Sequence, residues 1–403
     1  MRKKVYLLVL LLCGCAGAQQ AEIRVPDVVP EAVDYAWICK YKEQKTLPSA
    51  EELVKLFAEN RNADFRSCDL SQMDLSMYPS NLADYVDFDS KTRWPEADKM
   101  PKGFEPEKVL RDGVNPGLGV RSLHAEGITG RGVSVAIIDQ PLLTTHQEYA
   151  GRLKFYEQQE NCPEAQMHGP AVASIIVGRT VGVAPEADLY YIATRFARLK
   201  GDGWDVRPEA EALKRLLEIN KTLPAKNKIR VISLSLGGLE DPESIGGLQW
   251  KEGLAEARRQ GVAVFTTDHD IFALSRACST CDADAPALYT RGAGWFEERD
   301  YERYPYMEKV LFPTDYRVTA APNGDGDYAS YASSGLSWAV PYAAGLYALA
   351  AQVYPPLTPE LFWQTARETA VAATVKTPQG KIYPAKYLVQ PQRLIKKLQN
   401  MKQ

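Results

Sequence analysis

Between residues 132 and 355, short β-branched and apolar runs alternate with longer segments of helical spacing, and this alternation constrains the fold more than any other feature. GVSVAIID (132–139) is apolar almost without a break, as a strand buried on both faces must be. HGPAVASIIVG (168–178) spaces its small and apolar residues as a helix does, and ADLYYIA (187–193) reads as a strand. RPEAEALKRLLEIN (207–220) and LQWKEGLAEARRQ (248–260) are amphipathic helices, and IRVISLSLGG (229–238) and GVAVFTT (261–267) are strands. GLSWAVPYAAGLYALAAQVYP (335–355) opens a helix that is apolar nearly all round and therefore central. The expectation is an α/β fold, a parallel sheet flanked by helices on both faces, with its ligand site at the carboxyl ends of the strands.

The chain has 403 residues, 45% of them hydrophobic, so a large core is within reach. The net charge of -3 is spread along the chain without a long basic run, which argues against a nucleic-acid partner. The first residues, MRKKVYLLVLLLCGCAGA, join a basic head to an apolar stretch too short to span a bilayer, the pattern of an export signal over 1–18. Two cleavage points stay open. Ala16-Gly17-Ala18 suits an ordinary signal peptidase, giving a secreted protein. Leu12-Cys13-Gly14-Cys15 resembles a lipobox ending at 14, giving an envelope lipoprotein whose contact with the membrane is a lipid anchor on Cys15. Export permits disulfides, and five cysteines remain: Cys39, Cys68, Cys162, Cys278 and Cys281. Cys278-Ser-Thr-Cys281 reads as a local disulfide loop, because no second Cys or His cluster accompanies it to suggest a metal.

Residues 19–111 form an amino-terminal extension of a different character, without a strand pattern. LPSAEELVKLFAENRN is a helix with a Ser49–Glu52 capping box. ADFRSCDLSQMDLSM repeats Asp followed by Phe or Leu every five residues, similar to the pentapeptide-repeat pattern; three units are too few for a solenoid, and a short Asp-rich turn segment is the plainer reading. TRWPEADKMPKGFEPEK, rich in proline and charge, reads as a linker to the second domain, 112–403.

Three residues carry the chemistry. Asp139 closes the first buried strand, where a charge needs a partner or a task. His168, one of four histidines, opens a helix. Ser337 stands where the small-residue turn SSG (333–335) becomes the central helix. Each alone has an ordinary structural explanation. Together, in the order Asp, His, Ser, they supply what a serine nucleophile needs: an imidazole to take its proton and a carboxylate to fix that imidazole. Serine in last place excludes the α/β-hydrolase order, and the glycines at 127, 130 and 132 precede the first strand, which excludes a dinucleotide cradle.

From about 112 to 390 the chain resembles the subtilase family of subtilisin-like serine proteases. GVSVAIIDQPLLTTHQEYAGRL is similar to the family's aspartate segment, MHGPAVASIIVGRTVGVAPEADLYYIA to its histidine segment, VISLSLGG to its substrate-binding strand and SGLSWAVPYAAG to its serine segment. The resemblance implies a catalytic Asp139, His168 and Ser337, and a polypeptide substrate lying along Ser235, Leu236 and Gly237. It also implies calcium as a possible cofactor, for which Asn323-Gly-Asp325-Gly-Asp327 is a candidate loop and an ordinary turn the alternative; no metal ligand is assigned. The family pattern is broken in places. Trp338 and Tyr342 replace a methionine and a histidine, Ala171 replaces the second histidine, and the oxyanion-hole asparagine becomes Asp270, or Asp268 if the register slips. The implied activity is an exported serine endopeptidase working through an acyl-enzyme. The altered oxyanion position keeps a second class open, a pseudoprotease that binds or regulates peptides.

Overall fold

The computed structural model describes residues 32, 47–59, 62–159, 162, 164–194, 198–200, 203–241, 243–268, 270–292, 308–377 and 380–401. The expected export signal over 1–18, with Cys13 and Cys15, and also Cys39, lies outside the described residues. In chain order the described elements begin with α1 (Ala50–Ala58), β1 (Ala63–Asp64), β2 (Val86–Asp89), α2 (Pro106–Asp112), α3 (Val120–Ala125), β3 (Ser134–Asp139), β4 (Leu153–Gln158), α4 (His168–Val177) and β5 (Asp188–Ala193). A hairpin of β6 (Arg198–Lys200) and β7 (Gly203–Asp205) precedes α5 (Arg207–Thr222), β8 (Ile229–Ser233), α6 (Gly247–Arg259) and β9 (Ala263–Phe265). Then come β10 (Ile271–Arg276), β11 (Tyr289–Gly292), β12 (Val310–Pro313), β13 (Arg317–Ala320), β14 (Tyr328–Tyr331) and α7 (Leu336–Val353). The last elements are α8 (Pro359–Thr369), β15 (Val371–Lys376), β16 (Ile382–Leu388) and α9 (Pro391–Asn400).

The centre is a five-stranded, wholly parallel sheet in the order β4-β5-β3-β8-β9. Strand β3 shows why its sequence is apolar throughout. Val135 and Ile137 join the core under α4 and α7, while Ala136 and Ile138 join the opposite core under α5 and α6. Side chains alternate across a strand, so a strand covered on both faces has no solvent side to mark with polar residues. Helix α7 is buried at Trp338 to Ala351, as its all-round apolarity requires. A second unit, not foreseen in the sequence, closes β10, β11, β15, β16 and β12 into a small barrel beside the sheet.

The extension differs most from expectation. Its residues form two strands, and β2 pairs antiparallel with β14, giving a sheet of order β1-β2-β14-β13. The supposed linker is a core segment: Trp94 and Phe104 stack edge-on with each other and with Phe88. The five-residue period is also structural. Phe65, Leu70 and Leu75 are fully buried, and their amides donate to the carbonyls of Asp87, Arg93 and Lys99. The aspartates before them, Asp64, Asp69 and Asp74, each accept the amide two residues on, from Arg66, Ser71 and Ser76. These are three stacked Asx turns, each placing one apolar side chain inward. The capping box forms as expected, with Ser49 N–H donating to Glu52 Oε2 at 2.6 Å and Glu52 N–H to Ser49 Oγ at 3.2 Å. Among the described residues no helix is long and apolar enough to cross a membrane.

Candidate active site

Strand β3 delivers Asp139 to the carboxyl edge of the sheet. By strand alternation its side chain follows Val135 and Ile137 toward the face carrying α4 and α7. The carboxylate is 0% exposed, and Oδ1 lies 2.7 Å from His168 Nδ1. Oδ1 also accepts the Gln140 amide at 2.7 Å, and Oδ2 is buried without a hydrogen-bond partner among the described residues. His168 is the first residue of α4. Its approach to Asp139 depends on the next position. A Cβ on Gly169 would overlap the Gln140 carbonyl oxygen and stand 2.6 Å from the Tyr191 hydroxyl. The His-Gly pair is thus a packing requirement of the Asp139–His168 bond. Burial, and then the Asp139 carboxylate, raise the Tyr191 phenol well above its ordinary value, so it stays a neutral donor to Gln140 O at 2.5 Å.

Ser337 is the second residue of α7, half-buried, two residues after the extended Gly335 that caps the helix. Pro341, four residues on, has no N–H to give the Ser337 carbonyl its helical hydrogen bond. Ser235, two residues beyond β8, fills that gap: its hydroxyl donates to Ser337 O at 3.0 Å. Ser235 therefore ties the loop after β8 to the start of α7. The turn before the helix is held by buried Asp315, which accepts both the amide and the hydroxyl of Ser334. Trp338, 4% exposed, packs its ring edge-on to His168 with centroids 5.5 Å apart. The amides of a first helical turn have no partner within the helix and concentrate positive potential there.

Strand β8 stops at Ser233, so Leu236 and Gly237 lie in a partly exposed loop rather than in the sheet. A Cβ on Gly237 would overlap Thr267 Oγ1 and stand 2.7 Å from Asp268 Oδ1, and Asp268 Oδ1 accepts the Gly238 amide at 3.0 Å. Asp268, not Asp270, is thus the carboxylate against this loop. Asp270 lies just before β10 and is 51% exposed; its Oδ2 pairs with Arg367 Nη2 on α8 at 2.6 Å. The candidate calcium loop does not fit a cation. Lys91 brings its ammonium there, donating to Asn323 O at 2.5 Å and lying 3.2 Å from Asp327 Oδ2. Among the described residues no cluster of three His, Cys, Asp or Glu side chains is placed to hold a metal. Cys278 and Cys281 form the expected local disulfide.

Residues 130–277 match the sequence model of the Subtilase family, a span that holds Asp139, His168 and the Ser235–Gly237 loop and ends before Ser337. An extracellular serine proteinase of Thermus sp. (strain Rt41A) is 27% identical over 285 residues, covering 67% of this chain. The chain spans 64% of that relative's length. A solved structure titled Structure of Prenylagaramide maturation protease PagA aligns with a TM-score of 0.48 at 16% identity, over 70% of this chain and 98% of its own. The likeness to the Subtilase family thus rests on residues 130–277, which hold the five strands of the parallel sheet with the aspartate and histidine segments.

Proposed function

We propose that the chain is an exported serine endopeptidase that cleaves polypeptides through an acyl-enzyme. One observation carries the reading: the buried Asp139 carboxylate is bonded to His168 Nδ1 at 2.7 Å, on the sheet face that carries α7, whose first turn holds Ser337. In this reading Asp139 fixes the tautomer that leaves Nε2 unprotonated, ready to take the Ser337 proton. The buried carboxylate then stabilises the imidazolium, which returns its proton to the leaving amine. Ser337 Oγ attacks the scissile carbonyl, and water completes the cycle by the same steps. The substrate backbone lies along the loop of Ser235, Leu236 and Gly237. With Asp270 engaged by Arg367, oxyanion stabilisation falls to backbone amides in the first turn of α7.

The same ion pair favours the second reading, a weak or inactive pseudoprotease, since position 270 carries a carboxylate held by Arg367 in place of the asparagine's amide. A fluorophosphonate probe applied to the purified protein decides between them. The peptidase reading expects labelling at Ser337, abolished in Ser337→Ala and strongly slowed in His168→Gln. Wild-type protein that stays unlabelled would leave the pseudoprotease. Export rests on the leader over 1–18, and a Cys15→Ser variant tests the anchor: loss from the membrane fraction marks a lipoprotein, unchanged release a secreted protein.

A further inference from the structure

The amino-terminal extension reaches His168 through a line of packed side chains. Arg66 is gripped by Asp64 in a two-pronged pair, Nε to Oδ1 at 2.8 Å and Nη2 to Oδ2 at 2.7 Å. Its side chain is only 12% exposed. The guanidinium sits 5.4 Å from the centre of the Tyr331 ring, and Nη1 donates to the Tyr331 hydroxyl at 3.2 Å. Tyr331 ends β14, the strand that β2 pairs with, and it stacks edge-on with Trp338 at 5.4 Å and 78°. Trp338 in turn meets His168 at 5.5 Å and 71°. The hydrogen bond at Nδ1 holds one atom of the imidazole, and aiming Nε2 also takes contact on the ring itself; the rigid, buried Trp338 indole supplies such a contact. Trp338 also adjoins Ser337 in the chain, so one residue borders both the base and the nucleophile.

We propose that Arg66, Tyr331 and Trp338 are positioning residues for His168, which makes residues 62–104 a permanent part of the catalytic unit rather than a removable leader. The consequence for catalysis rests on the peptidase reading above; the geometry does not. The test uses the full chain with two readouts: the His168 ring signal in the NMR spectrum, assigned among four histidines with His168→Gln, and the rate of fluorophosphonate labelling. Arg66→Met and Trp338→Leu are expected to move or broaden the His168 signal and to slow labelling roughly tenfold or more, with Arg66→Lys closer to wild type. Where Arg66→Met does not fold, Tyr331→Phe removes only the hydroxyl that Arg66 binds and is expected to shift the same signal. An unchanged His168 signal and labelling rate in the folded variants would overturn the proposal. So would an equal shift from Phe104→Leu, which loosens the extension away from this line. If the wild type takes no label, the peptidase reading fails, and the NMR signal still decides whether the histidine is positioned.

Discussion

Pro341 removes a backbone donor, and Ser235 restores one. That exchange fixes where Ser337 stands, because its carbonyl is anchored to the loop after β8 instead of to its own helix. Ser235→Ala leaves a partly buried carbonyl without its partner, a loss of about 1–3 kcal/mol. The expected outcome is a lower melting temperature together with slower probe labelling; slower labelling without any loss of stability would point instead to direct contact with substrate. Asp270 gives the opposite expectation. Its half-exposed pair with Arg367 is worth at most about 1 kcal/mol, and its carboxylate is turned to α8. Asp270→Asn is therefore expected to change peptidase turnover by less than roughly threefold, against the hundredfold or more that one oxyanion donor is worth. A gain approaching a hundredfold would place residue 270 in the oxyanion hole after all.

At the scale of elements, the sequence told most where one face or period dominates. Strands β3, β5 and β8, helices α4, α5 and α6, the capping box and the central helix were legible because each carries a pattern that local burial alone explains, whereas β4 and the β6–β7 hairpin were not read. The ends were less so: β8 stops at Ser233, and Leu236 and Gly237 beyond it lie in a partly exposed loop. The strands of the extension were missed because they are two and four residues long, and β2, which β1 pairs with, takes its other partner from β14, some 240 residues away. No local signal encodes such a pairing. The period of five was visible, but only the structure shows that the segments ending at Asp87, Arg93 and Lys99 complete the core that the three Asx turns begin. Leu70, 1% exposed at the middle turn, is the test of that unit. Leu70→Ala is expected to cost about 2–5 kcal/mol by thermal unfolding. Residues 112–401 should melt with it in one transition, since β2 and β14 share a sheet. A separate early transition would make the extension an independent module.

For the molecule as a whole, one buried carboxylate sits on the seam between the extension and the sheet that leads to the serine helix. Asp87 of β2 accepts the Ala332 amide at 2.8 Å, just after β14. Burial pushes its pKa up to about 7, with the Arg66 guanidinium pulling the other way. The folded state therefore holds a proton here between about pH 4 and 7 that the unfolded chain, with an ordinary aspartate, has released. A raised acid of this kind makes stability fall as pH rises through that window, with the full loss reached above the folded pKa. Buried Asp315, raised mainly by its own burial, slopes the same way. Glu186, held below its usual range by hydrogen bonds from Arg131 and Thr129, loses stability in the opposite direction, as pH falls through the carboxylate range. Stability is thus expected to peak near the lower end of the Asp87 window and to decline toward pH 8. Asp87→Asn keeps the carbonyl that Ala332 binds and removes the titration. It should flatten the decline by on the order of 2 kcal/mol between pH 5 and 8, leaving the slope from Asp315. Urea unfolding at the two pH values measures this directly. Equal slopes in wild type and variant would mean that the Arg66 guanidinium keeps Asp87 ionised throughout, and that the seam is held by a charge pair instead of a protonated acid.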